Sequence, residues 1–405
     1  MKNRLWLGMA LTLLAGAVAA GWAADWAQWR GPDANGIAPD TGINKDWAAR
    51  PPKTLWQVPL SDEGCSGPSV ANGKVFIIDH QGEQDIVRAL QVENGEEVWR
   101  YAYAETSKAN FGFACSTPTI NEGKVYTLGR LGQLNCLEEN TGKLLWARNI
   151  LEEFGGKRPS WNYCMSPLVD DNKVIIEPGG ANLVAALDKN TGQTLWVGGG
   201  SDTPGYATPV VATLQGVKQY LILSAAGVRG LSAENGQVLW QHPWKTYADV
   251  NVATPLVTGN QVFITSGYGA GCVMLEISAQ GPRVLWQNKE MEGQFISPVL
   301  YGGFLWGAGA GKFVGLNLAT GQGVFQSQDP GFGINQRGGS ALGVDGVLLV
   351  LAGGNGDLYM LTPANPPQVL GKITPLGGDS LTAPIMADGK LIIRNTKMLA
   401  YLDMK

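Results

Sequence analysis

Residues 139–146 read ENTGKLLW, residues 189–196 read KNTGQTLW and residues 234–240 read ENGQVLW. Each phrase sets a glycine four residues before a tryptophan. The frame occurs at Gly95/Trp99, Gly142/Trp146, Gly192/Trp196 and Gly236/Trp240. Trp286 follows Gly281 with one residue more, and Gly321/Phe325 keeps the spacing with phenylalanine. A second landmark lies upstream, a proline followed five residues later by glycine or asparagine: Pro68/Gly73, Pro118/Gly123, Pro167/Asn172, Pro255/Asn260, Pro298/Gly303 and Pro384/Gly389. Pro209 opens a slightly longer unit, and Ala341/Gly346 keeps the spacing without proline.

These landmarks define eight units over residues 54–405, 44 residues each. Each unit holds four short apolar runs separated by turn residues, which predicts four strands and the period of a propeller blade. One such sheet cannot bury both faces alone. Eight packed radially cover one another and leave no long open edge. The last unit has runs at 383–386, 390–394 and 399–402, then the chain stops without a fourth. The sequence TLWQVPL at 54–60 carries Trp56 in the repeated tryptophan slot. It is expected to complete the last blade and close the ring. The predicted fold is therefore all-β: an eight-bladed β-propeller of four-stranded antiparallel blades. Glycine opens the turn before each outer strand, and tryptophan wedges that strand against the neighbouring blade.

The repeat resembles that of the pyrroloquinoline quinone (PQQ)-like β-propellers, above all in ALDKNTGQTLW at 186–196. That superfamily contains the quinoprotein alcohol dehydrogenases and BamB, the outer-membrane assembly protein. The stretches DWAQWRGPDANG (25–36) and TSGYGAGC (265–272) are similar to a group of exported bacterial PQQ-like repeat proteins. The resemblance spans 54–405 and implies a fold more firmly than an activity.

Residues 1–24 carry Lys2 and Arg4, an apolar run over 5–20 and small residues at 17–19 and 21–23. This is the pattern of a cleavable Sec-type signal peptide, so the protein is expected in the periplasm or secreted. No cysteine precedes Cys65, so none stands ready for lipid attachment. No further stretch is apolar enough to span a membrane. Removing the leader leaves 28 cations against 34 anions, a net charge of −6. An acidic chain lacks the basic patch that nucleic acid requires. Residues 25–53, with Trp26, Trp29 and Trp47, are read as an arm packed on the ring, because plain linkers rarely carry three tryptophans.

Only two histidines, His80 and His242, are present, which leaves little for histidine-based metal sites or nucleophilic triads. The quinoprotein resemblance implies PQQ with calcium on the propeller axis. Trp161, Asn162, Asp202, Asn251, Arg337 and Asp379 lie on loops leading into the innermost strands and are the candidates for holding it. The chain lacks the adjacent cysteine pair of that family, so no catalytic residue, cofactor or metal is assigned, and PQQ with calcium stays as the alternative. Cys65, Cys115 and Cys164 each sit three residues before a blade proline. The same slot elsewhere holds Tyr206, Val252, Phe295, Gly338 and Leu381, which is mainly apolar. Packing, a disulfide and a metal site are the three readings of the trio. Equivalent positions are expected to face their own blades and not one another, which favours packing. Cys136 replaces Ala89, Ala186, Gly230 and Gly315 in another slot and reads as packing.

One face of the ring has tight turns. The other has long connections at 104–111, 151–161, 242–250 and 328–337, with 79–85 and 177–182 between middle strands. Function concentrates on loops carried by a rigid scaffold. Phe111, Phe154, Trp161, Trp244, Tyr247, Tyr268, Phe332 and Arg337 lie on the long-loop face and are the partner-binding candidates. The function this favours is a non-catalytic, exported scaffold that binds a protein or cell-envelope ligand there, as the resemblance to BamB implies. The alternative is a PQQ- and calcium-dependent quinoprotein dehydrogenase acting on alcohols or sugars.

Overall fold

The computed structural model describes residues 25–61, 63–107, 112–309, 311–327 and 339–405. Among them are eight sheets, one for each repeat, of which the seventh gains a strand from the arm and the last takes its fourth strand from residues 53–59. The first blade runs Ser69–Ala71, Lys74–Gln81, Gln84–Gln91 and Glu97–Ala104, innermost strand to outermost. The others follow the same antiparallel meander. The last blade holds Ile385–Ala387, Lys390–Arg394 and Met398–Asp403, and its outermost strand is Lys53–Pro59 from the other end of the propeller. Trp56 pairs with Tyr401 across that seam, with the rings stacked 5.1 Å apart. The expected closure is thus present, and it converts two chain ends into one sheet.

Each blade breaks register at one place, between the third and fourth strands beside the tryptophan slot. Examples are Leu144/Trp146, Ala89/Leu90 and Met274/Leu275. A bulge adds twist and turns the aromatic side chain. The residue opposite is often small, as in Ala89↔Trp99, Ala186↔Trp196 and Gly230↔Trp240. Cys136 lies opposite Trp146 and is fully buried, so it packs as the repeat predicts. The core lies between blades. One cluster joins Val262 and Val273 to Leu221 and Trp240 of the blade before.

Residues 26–38 cross the axis. Trp26 bridges to Val70 on the first blade, and the Ala27 carbonyl accepts from the Ile120 amide on the second. Trp29 Nε1 donates to Thr254 Oγ1 at 2.8 Å, beside the fifth blade. Arg30 donates to the Pro298 carbonyl at 2.5 Å, beside the sixth. Ile37–Ala38 adds a parallel strand to Gly339–Val344 of the seventh. Five blades are therefore tied to one segment, which plugs the channel at the tight-turn end. No helix among the described residues is long and apolar enough to cross a membrane.

Candidate functional site

Above the plug, the channel widens into a pocket of about 140 Å³. Trp29 forms its floor. Its wall is the ring of residues three before each blade proline: Cys65, Cys115, Cys164, Tyr206, Val252, Phe295 and Leu381. Gly338, the eighth position, lies outside the described residues. This corrects the expectation that these positions face only their own blades. At this point the chain has not yet entered its innermost strand. It runs as a loop on the axis, so its side chain enters the channel and meets those of the neighbouring blades.

The three cysteines follow from that geometry. Cys65 Sγ donates to Cys115 Sγ at 3.3 Å, and Cys164 interacts with Cys115 on the same pocket wall. All three are half-buried and carry free thiols. Hydrogen bonding to Cys115, then burial, pushes the Cys65 thiol up. Beside them lies Arg130, 2% exposed. Its Nη1 donates to the carbonyls of Gly112 and Phe113 at 2.7 and 3.0 Å, and its Nη2 donates to that of Trp161 at 2.6 Å. Nη1 is also 3.6 Å from Cys115 Sγ. A buried guanidinium held by main-chain oxygens keeps its charge inside the pocket wall. Nothing in the sequence around Arg130 marks it, because its role depends on loops from two blades.

The sequence candidates separate. Trp161 lines the pocket, 6.1 Å from Tyr206, and its amide donates to the Tyr206 hydroxyl. Asn162 is next to it in a left-handed conformation, φ 68°, outside the pocket wall. Asp202 is bound to Arg229 and Ser224. Asn251 is fully buried and occupied by Ser224, Trp244 and Ser266. Asp379 is exposed away from the pocket. Trp244 is 6% exposed, donates to Ser266 Oγ at 3.0 Å and belongs to the core. Phe154 is half-buried against the second and third blades, under Arg148. Tyr247 and Tyr268 are 73% and 50% exposed, with ring centroids 5.6 Å apart, and Tyr268 forms part of the pocket mouth. Phe111, Phe332 and Arg337 lie outside the described residues, as does the leader.

PQQ with calcium needs a roomy, oxygen-rich site. Calcium takes six to eight oxygen ligands, usually with carboxylates among them. The described wall offers hydroxyls from Ser166, Thr208, Thr254 and two tyrosines, but no carboxylate. Pockets that bury a drug-sized ligand run from about 300 Å³ upward. The described residues do not fit the pair.

Two other buried groups are unusual. His80 places Nδ1 2.8 Å from Asp85 Oδ1 and Nε2 2.7 Å from the Gly82 carbonyl, and its ring stacks on Phe113 at 3.8 Å. Burial pushes Asp85 up to about 6, against the pull of His80 and Tyr103. Glu177 is 1% exposed, neither carboxylate oxygen has a hydrogen-bond partner, and burial raises it well above the usual range.

Comparison with known proteins places the chain. The protein from Yersinia pestis named outer membrane protein assembly factor BamB is 24% identical over 286 residues, 65% of this chain and 66% of the relative. The chain thus spans just under two thirds of that relative's length. A quinone-dependent alcohol dehydrogenase subunit from Gluconacetobacter polyoxogenes is 27% identical over 159 residues, 36% of this chain and 21% of its own. The crystal structure of BamB from Moraxella catarrhalis aligns with a TM-score of 0.63 at 17% identity. The alignment covers 87% of this chain and 99% of that one, a likeness of fold. The family model described as outer membrane protein assembly factor BamB matches residues 83–327, more than half of the chain, and the chain belongs to that PQQ-like propeller family.

Proposed function

We propose that this protein is an exported, non-catalytic propeller that holds a protein ligand of the cell envelope on its long-loop face. The observation that carries this is the Tyr247–Tyr268 pair, two large aromatics left in solvent at the rim of the axial pocket. Large aromatics that keep one face in water are typical interface anchors. The plug on the opposite face agrees with a one-sided scaffold, and the names of the BamB relatives agree with an assembly role. The lack of a carboxylate among the described wall residues speaks against the quinoprotein alternative.

The test is a photo-crosslinking amino acid at position 247 of the full chain, expressed in its own cells. Discrete adducts with an envelope protein, lost on Tyr268→Ala, are expected. Saturable binding of PQQ with calcium, with dye reduction by alcohols or sugars, overturns the proposal. So does a crosslinker at position 247 that captures nothing.

A further inference from the structure

The axial cysteines are placed by the fold and used by nothing described so far. They come from three consecutive repeats, and the chain brings no other cysteine to the pocket wall. Cys115 is central: it accepts from Cys65 at 3.3 Å, and it also interacts with Cys164 on the same pocket wall. A disulfide holds its sulfurs about 2.05 Å apart, so the Cys65–Cys115 pair needs an approach of roughly 1.3 Å, a small side-chain movement. Main-chain bonds already hold the two loops together, since the Cys65 and Ser66 amides both donate to the Ala114 carbonyl. All three thiols border an open pocket rather than a sealed core.

We propose that this trio is a thiol–disulfide exchange site with Cys115 as its pivot. It takes a low-molecular-weight disulfide as oxidant and links Cys115 to Cys65 or, failing that, to Cys164. The balance is that of ordinary exchange. Cys115, having lost its proton, attacks one sulfur of the reagent and forms a mixed disulfide, and the first thiol leaves carrying a proton. Cys65 then attacks Cys115 Sγ and expels the second thiol. Two protein S–H bonds become one S–S bond, and the reagent gains two S–H bonds. The interaction with Cys164 and burial raise the Cys115 thiol well above its ordinary value, and Arg130, 3.6 Å from its Sγ, is the fixed cation that pulls the other way, toward the thiolate that exchange needs. Two links are open to Cys115, and they exclude each other. The oxidised protein therefore always retains one free thiol in the pocket, in addition to Cys136 and Cys272, which are buried between blades elsewhere. The site does not depend on what the outer rim binds.

The test uses the whole reduced chain with bis(2-hydroxyethyl) disulfide in excess, read by thiol count in denaturant and by peptide mass mapping. The wild type is expected to fall from five thiols to three, with Cys65–Cys115 as the main crosslinked peptide. Cys65→Ser is expected to form Cys115–Cys164 instead. Cys115→Ser is expected to form no internal link. The proposal is overturned if the wild type keeps all five thiols or retains the reagent as a stable mixed disulfide. It is equally overturned if the wild type links only between chains, or if Cys115→Ser loses two thiols as the wild type does. The wild-type map decides the linkage even where a variant folds poorly.

Discussion

The indole of Trp99 lies on Gly142 of the following blade, and its Nε1 donates to the Glu139 carbonyl of the same turn at 2.8 Å. Trp56 repeats this on Gly95 with the Val92 carbonyl, Trp146 on Gly192 with that of Lys189, and Trp286 on Gly321 with that of Leu318. The glycine and tryptophan of one phrase thus serve two different contacts. The glycine receives the tryptophan of the blade before, and the tryptophan covers the glycine of the blade after.

Glycine is required at such a turn twice over. Gly142 has φ +71°, and a Cβ there would stand 2.5 Å from the Trp99 ring. Gly142→Ala is therefore expected to cost about 2–4 kcal/mol, left-handed strain plus overpacking. Gly123 has φ +76° but open space around it. Gly123→Ala is expected to cost only about 1 kcal/mol. Urea midpoints of the two variants check this, and equal losses would remove the interblade contact from the account.

Asp85 sets a pH dependence. Its folded value is about 6 against an ordinary 3.8. Between these values the folded chain binds more protons at this site than the unfolded chain. Its contribution is fully present below about pH 4 and is lost as pH rises through about 6, on the order of 3 kcal/mol. Asp85→Asn is expected to flatten that part of the stability curve, read as the difference between the two proteins at pH 4 and pH 7.

Trp29 should behave as a stopper. Trp29→Ala removes the pocket floor and the bond to Thr254. A stability loss of about 1–3 kcal/mol is expected, since the side chain is half-buried. The axial thiols should also label several-fold faster with an aromatic disulfide dye. An unchanged labelling rate would mean that reagents enter only from the long-loop face.

Tyr247 and Tyr268 should be dispensable for folding. Alanine at either is expected to change stability by less than about 0.5 kcal/mol, as at other exposed positions. The double variant should lose the envelope adducts. Thermal melts separate the two effects.

The sequence by itself determined the ring. Its repeat spacing specified eight blades, and the tryptophan at 56, ahead of an unfinished last unit, specified how they close. These are local signals, because strand length, turn chemistry and burial period are written within each repeat. It also marked Tyr247 on a long connection and Tyr268 on the glycine-rich loop at 267–271, since an aromatic in a loop is legible without a fold. Only the tertiary structure decided what the centre holds. Cys65, Cys115 and Cys164 look alike and separate in the chain, about fifty residues apart. Whether they meet depends on where the loop before each innermost strand sits relative to the axis. Arg130 is placed by carbonyls of Gly112, Phe113 and Trp161, and Trp244 is drawn into the core by Ser266. Such contacts join residues from different blades, and no repeat contains its neighbour's coordinates.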